Sequence, residues 1–145
     1  MSAGWIEKQG GGLKFECTKC GKCCEQTTGI VLVNRQEQIR LANRMMMTLE
    51  KFNEIFTWSY DEHCRTLKTT PTGCILYDWN KKLCTVHGDH PLQCRTFPMW
   101  IGNVNSQEAW ERTSKKCEGC NRGNFIPLEM IQRCVTATTR LNEIP

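Results

Sequence analysis

The chain has 145 residues, 39% of them apolar and 23% charged, with a formal net charge of +4. That is the make-up of one ordinary globular domain. The charge is too scattered, beyond Lys81-Lys82 and Lys115-Lys116, to support nucleic-acid binding, and no apolar run reaches the length of a membrane span.

Eleven cysteines are the unusual feature. Such a count also suits a secreted disulfide scaffold. Against secretion stand the odd number, the clustered Cys-x-x-Cys spacings and a start, Met1-Ser-Ala-Gly-Trp-Ile-Glu-Lys8, without an apolar signal core. The expectation is a reducing compartment, the cytoplasm or one like it, with thiolates used for metal.

Residues 1–14 hold Gly10-Gly11-Gly12 and little pattern, so a flexible lead-in is expected, with Trp5 or Phe15 tucked against the body. No strand–turn–helix pattern follows the glycines, which argues against a phosphate loop. Residues 15–145 are expected to form one cysteine-cluster domain that ends in a C-terminal helix.

That domain starts with Cys17-Thr-Lys-Cys20-Gly-Lys-Cys23-Cys24. Two-residue gaps let the backbone curl until successive sulfurs converge on one ion, about 2.3 Å away for zinc. The same wrap holds a face of an iron–sulfur cubane, with the fourth ligand coming from elsewhere. Adjacent side chains in an extended segment point to opposite sides, so Cys24 is expected to face a second centre, unless the stretch holds one polynuclear site. The alternative is a set of reduced structural thiols or a disulfide knot.

Gly29-Ile-Val-Leu-Val33 reads as a buried strand, and Asn34 with Glu37 reads as a capping box. A helix from about Arg35 to Met47 would bury Ile39, Ala42 and Met46, with Leu41 and Met45 beside them. The methionines Met45 to Met47 read as a deformable core or partner surface rather than as ligands. Thr48 caps a second helix, with Leu49, Phe52, Ile55 and Phe56 inward. His63-Cys64 reads as a surface histidine beside a buried thiol, and Thr69–Gly73 as a turn-rich break.

Gly73–Tyr77 and Leu83–His87 read as two arms of one hairpin about a turn at 78–82, which would put Cys74 and Cys84 on neighbouring strands. Pro91 and Pro98 bracket a helical turn that presents Cys94. Met99-Trp-Ile101 reads as a strand, and Ser106 as the cap of a helix running to Lys116 with Trp110 inward. Cys117-Glu-Gly-Cys120 follows in a loop. Pro127 opens the last helix, whose buried face is Leu128, Ile131, Val135, Thr138 and Leu141, with Met130 and Cys134 adjacent. The fold class is α+β: a small cysteine-rich, metal-stapled domain with short strands, a hairpin, three or four helices and irregular loops.

The order Cys17-x2-Cys20-x2-Cys23-Cys24, Gly73-Cys74-Ile-Leu-Tyr77, Cys84, Pro91-x2-Cys94-Arg95-x-Phe97-Pro98 and Cys117-x-Gly119 resembles the YkgJ-type cysteine-cluster family. That family is a zinc- or iron-chelating CxxCxxCC domain also found within flagellin lysine N-methylases. The resemblance covers about residues 15–123. It implies metal ligation by Cys17, Cys20, Cys23, Cys24, Cys74, Cys84, Cys94 and Cys117, with iron–sulfur or zinc as the cofactor. His87 and His90 stand where the family often has Tyr and Arg, which suggests that neither is a necessary ligand. Cys120 offers an alternative or additional one. Gly21 and Arg95 are candidates for N–H contacts that offset the thiolate charge.

Three function classes follow. The first is a chelating protein with a redox, metal-carrying or accessory role. The second is a structural zinc module that binds a protein partner. The third, by analogy with the flagellin enzymes, is an accessory to lysine N-methylation. No glycine-rich strand–loop–helix for a methyl donor and no hydrolytic triad is visible, which points away from an enzyme acting alone.

Overall fold

The computed structural model describes residues 2–18, 30–71 and 73–140. Cys20, Gly21, Cys23, Cys24 and Leu141 therefore lie outside the described residues. Short helices and small antiparallel sheets make the fold α+β. The chain divides into two compact units, residues 1–20 with 96–139, and residues 21–95 with 140–145.

In the first unit, α1 (Gly4–Lys8) leads into β1 (Gly12–Phe15), which pairs antiparallel with β9 (Asn124–Pro127). The segment is anchored because Ile6 and Leu13 are buried with Met99, Val104, Trp110, Ile131 and Val135 in one apolar cluster. Trp5 and Phe15 pack against that cluster, as their apolar bulk suggested. Burying each such side chain is worth about 1.5–3 kcal/mol. The Trp5 indole also donates to the Val104 carbonyl at 3.0 Å.

Ser106 caps α6 (Gln107–Lys116) by accepting from the Ala109 N–H, and Trp110 on that helix is 3% exposed. The expected strand at 99–101 is absent. Trp100 instead precedes a short helix, α5 (Ile101–Val104), because its carbonyl accepts from the N–H groups of Asn103 and Val104. The Asn103 amide locks the turn by donating to the Pro98 carbonyl and accepting from the Thr113 hydroxyl. The final helix, α7 (Leu128–Thr139), starts one residue after Pro127 and buries Ile131 and Val135.

In the second unit, β2 (Leu32–Asn34) pairs with β4 (Cys64–Leu67), which also pairs with β3 (Thr57–Ser59). The capping box forms: the Asn34 side chain accepts from the Glu37 N–H, and Glu37 reaches back to the Asn34 N–H. Helix α2 then runs from Arg35 to Arg44. It stops short of Met47 because Met46 takes a left-handed φ of 58°. The N–H of Met47 then reaches the Ala42 carbonyl and that of Met46 the Asn43 carbonyl, a Schellman ending.

The buried face of α2 is also rotated from expectation. It consists of Glu37, Gln38, Leu41 and Ala42, whereas Ile39 and Met46 are exposed. Gln38 is tolerated inside because its amide donates to the Val33 carbonyl and accepts from Asn53. Thr48 caps α3 (Leu49–Phe56), which buries Phe52. Among the described residues no helix is long and apolar enough to cross a membrane.

Candidate metal centre

The cysteines of the first unit meet through backbone pairing. Past β1, Phe15 bridges to Cys120, and the Glu16 N–H donates to the Gly119 carbonyl at 3.1 Å. The Thr18 hydroxyl donates to the Glu118 carboxylate at 2.6 Å. Exposed Cys17 is thus flanked on both sides by residues tied to the Cys117–Cys120 loop. The Cys120 N–H donates to the Cys117 carbonyl. Burial, reinforced by Cys117, pushes the Cys120 thiol up to about 12. Cys134 stays on α7 against the apolar cluster, its thiol also raised by burial.

This approach requires Gly119. A Cβ there would collide with the Glu16 carbonyl oxygen, a backbone atom that cannot swing aside. Gly119→Ala should cost about 1–3 kcal/mol of stability and reduce bound metal, read by denaturant melts and elemental analysis. Gly102→Ala, where a Cβ meets nothing within 4 Å, should leave both unchanged. Equal behaviour of the two variants would show that the approach is not required.

In the second unit Cys74 and Cys84 lie on different ladders. Cys74, in β6 (Gly73–Cys74), pairs with Thr69 of β5 (Thr69–Thr70). Cys84, in β8 (Leu83–Cys84), pairs with Tyr77 of β7 (Tyr77–Asp78). The expected single hairpin is therefore two ladders, because β6 pairs back on Thr69 and Thr70 while Tyr77 pairs with Cys84. Both cysteines still meet one apolar cluster, in which Cys84 is buried with Val33, Leu41, Phe52, Leu76 and Val86 while Cys74 packs on its margin.

Cys94 rides on α4 (Leu92–Thr96), behind a fully buried Pro91 whose carbonyl accepts from the Arg95 N–H. Two residues place this helix. The Glu37 carboxylate, 6% exposed, accepts from the Leu92 N–H at 2.5 Å. The Gln93 amide donates to the Ile30 carbonyl and accepts from the Leu32 N–H, clasping the strand that follows the N-terminal cysteines. Arg95 is exposed.

Cys64 is 1% exposed, and burial raises its thiol to about 11, so it remains a neutral interior group. His63 is partly exposed beside Glu62. Among the described residues no disulfide joins two cysteines, and no group of three or more His, Cys, Asp or Glu side chains is assembled to hold an ion. Cys117 and Cys120, joined through the backbone and bridged to the β1 end two residues before Cys17, supply thiol donors of the kind that suits a thiophilic metal. Those residues would be the ones to hold it in the first unit.

Residues 16–121 match the CxxCxxCC family, described as "Putative zinc- or iron-chelating domain". The chain belongs to that family. An uncharacterised protein of Methanocaldococcus jannaschii is 25% identical over 87 residues, which is 60% of this chain and 46% of that relative. The chain thus matches less than half the length of this curated relative. No solved structure matches the chain. The CxxCxxCC span starts at Glu16, where β1 hands over to the Gly119 carbonyl, and ends at Asn121, whose N–H donates to the Lys14 carbonyl. Both ends of the matched span are therefore held beside β1 in the first unit.

Sequence reasoning found the Cys-x-x-Cys of 117–120 and missed Glu37 and Gln93 as supports of Cys94. Their signals are long-range: Glu37 contacts Leu92, and Gln93 contacts Ile30 and Leu32. No local spacing rule marks such pairs.

Proposed function

We propose that this CxxCxxCC protein chelates an iron–sulfur or zinc centre through Cys17, Cys20, Cys23, Cys24, Cys74, Cys84, Cys94 and Cys117. It acts in a redox, metal-carrying or accessory role, with residues 15–145 working as one metal-stapled domain. The observation that carries the reading is the ordered cysteine set inside a family match over residues 16–121. Bound metal supplies folding energy through thiolates that must be deprotonated. Arg95, next to Cys94, and the backbone N–H of Gly21 would offset their charge.

A second reading, a structural zinc module that docks on a protein partner, draws on the surface of the second unit. Trp58, Tyr60 and Trp79 are each 48% exposed there, and aromatic residues are enriched at interfaces. Closed all-thiolate zinc sites are structural rather than catalytic. Elemental analysis of anaerobically purified protein separates the two readings. Iron, inorganic sulfide and a brown colour bleached by dithionite support the first. About two zinc ions in a colourless protein support the second, and no stoichiometric metal would overturn both. His87→Ala and His90→Ala should each keep the tightly bound metal, because the thiolates hold it. Loss of a tightly bound equivalent in either would make that histidine a ligand of the centre.

A further inference from the structure

His87 and His90 stand outside the thiolate set, in the loop that joins β8 to α4, and nothing in the proposed centre uses them. His87 Nδ1 and His90 Nε2 are 3.1 Å apart, and the rings meet edge to face with centroids 4.6 Å apart. Two imidazole nitrogens bound to one tetrahedral zinc, each at 2.0–2.1 Å, lie about 3.3 Å apart. The nitrogen separation is already within a few tenths of an ångström of that spacing, and a modest turn of each ring aims both lone pairs at one ion beside the N–N line.

The loop is held for this geometry. The His87 N–H donates to the Cys84 carbonyl and the Asp89 N–H to the Val86 carbonyl, with Gly88 between them at a φ of 97°. Val86 is fully buried below. From α2, Arg40 donates to the His90 carbonyl at 3.0 Å, and Arg44 pairs with Asp89 at 2.6 Å. The backbone is fixed at both histidines, so the order needed to bring the rings together is already present.

We propose that His87 and His90 form an open, exchangeable two-imidazole site for a divalent ion of the zinc class, completed by water. Imidazole suits zinc, copper, nickel and iron alike. Both nitrogens must present lone pairs. The ring that donates in the present hydrogen bond moves its proton to its other nitrogen, and no net proton leaves a neutral pair. His90 is suited to that role, since burial first, then His87 and Arg95, lower its affinity for a proton. The cations nearby are largely matched, Arg44 by Asp89 and Arg40 by Glu37 at 3.8 Å. With only two protein ligands, the ion is held more loosely than in a closed thiolate site, as befits a point of entry or exchange.

The inference does not depend on the thiolate reading. Full-length protein, with whatever metal it retains after purification, is titrated with Zn2+ by equilibrium dialysis. One further equivalent is expected, weakened at least tenfold by His87→Gln or His90→Gln and unchanged by His63→Gln. In wild-type protein, Zn2+ should slow carbethoxylation of His87 and His90 and leave His63 reactive. These are the only three histidines in the chain, so the modified peptides assign the effect even if a variant folds poorly. Absence of the further equivalent, unchanged binding in both variants, or equal protection of all three histidines would overturn the site. Protein purified without tight metal would defeat the thiolate reading and leave this result standing.

Discussion

Replacing Cys20 or Cys94 by serine is expected to abolish stoichiometric metal and most of the folded population. A serine hydroxyl is no substitute for a thiolate toward zinc or an iron–sulfur cluster. A structural metal site contributes on the order of 10 kcal/mol at neutral pH, while the whole net stability of a domain is about 5–15 kcal/mol. Loss of one site therefore removes an amount comparable to everything the apolar clusters leave in hand. Among the described residues those clusters are modest: eight buried residues in the one that holds Trp110 and eight in the one that holds Phe52. The measurement is metal content by elemental analysis together with a circular-dichroism melt. Cys134→Ser, in a helix against the apolar cluster, should keep full metal and lose only packing energy. Retention of full metal by both Cys20→Ser and Cys94→Ser would sink the thiolate centre.

What the sequence made legible follows physical range. Caps were readable because their signals lie three residues apart: Asn34 with Glu37, Thr48 with Lys51 and Ser106 with Ala109 all form as expected. The α+β class and the inward Trp110 were legible for the same reason. The face of α2 was misjudged because apolar periodicity gave weight to Ile39 and Met46. The fold buries Glu37 and Gln38 instead, each satisfied by partners that periodicity does not register. Strand β9 was missed because Asn124–Pro127 is exposed along most of its length and exists by pairing with β1 more than a hundred residues earlier.

The candidate site divides along the same line. The Cys117–Cys120 pair was visible as a motif, and the structure closes it with a backbone bond from the Cys120 N–H to the Cys117 carbonyl. The expectation that Cys74 and Cys84 lie on neighbouring strands of one hairpin is not met. Neither residue shares a ladder with the other, yet both border the cluster around Phe52. A ten-residue interval between cysteines fixes chain length and not strand pairing. Cys74 takes the partner nearer in sequence, Thr69.

Glu37→Ala is expected to lower stability by about 2–4 kcal/mol and to weaken metal retention, although Glu37 is no ligand. One buried carboxylate serves two helices: it completes the cap of α2 at the Asn34 N–H and accepts from the Leu92 N–H at the start of α4. Loss of a cap costs about 0.5–2 kcal/mol, and a hydrogen bond to a charged group contributes about 1.5–3 kcal/mol. Truncation leaves both N–H donors without that acceptor. It also strips the Arg40 guanidinium of its nearest carboxylate, although the buried Arg40 Nε already has no hydrogen-bond partner. Asn34→Ala removes only the cap and should cost about 1 kcal/mol with metal retained. Glu37→Gln keeps a single carbonyl acceptor and should fall between the two. Urea midpoints combined with competition by a chelator measure both quantities. If Glu37→Ala matched Asn34→Ala in stability and in metal off-rate, the Leu92 contact would contribute nothing, and the placement of Cys94 would have to come from Pro91 and Gln93 alone.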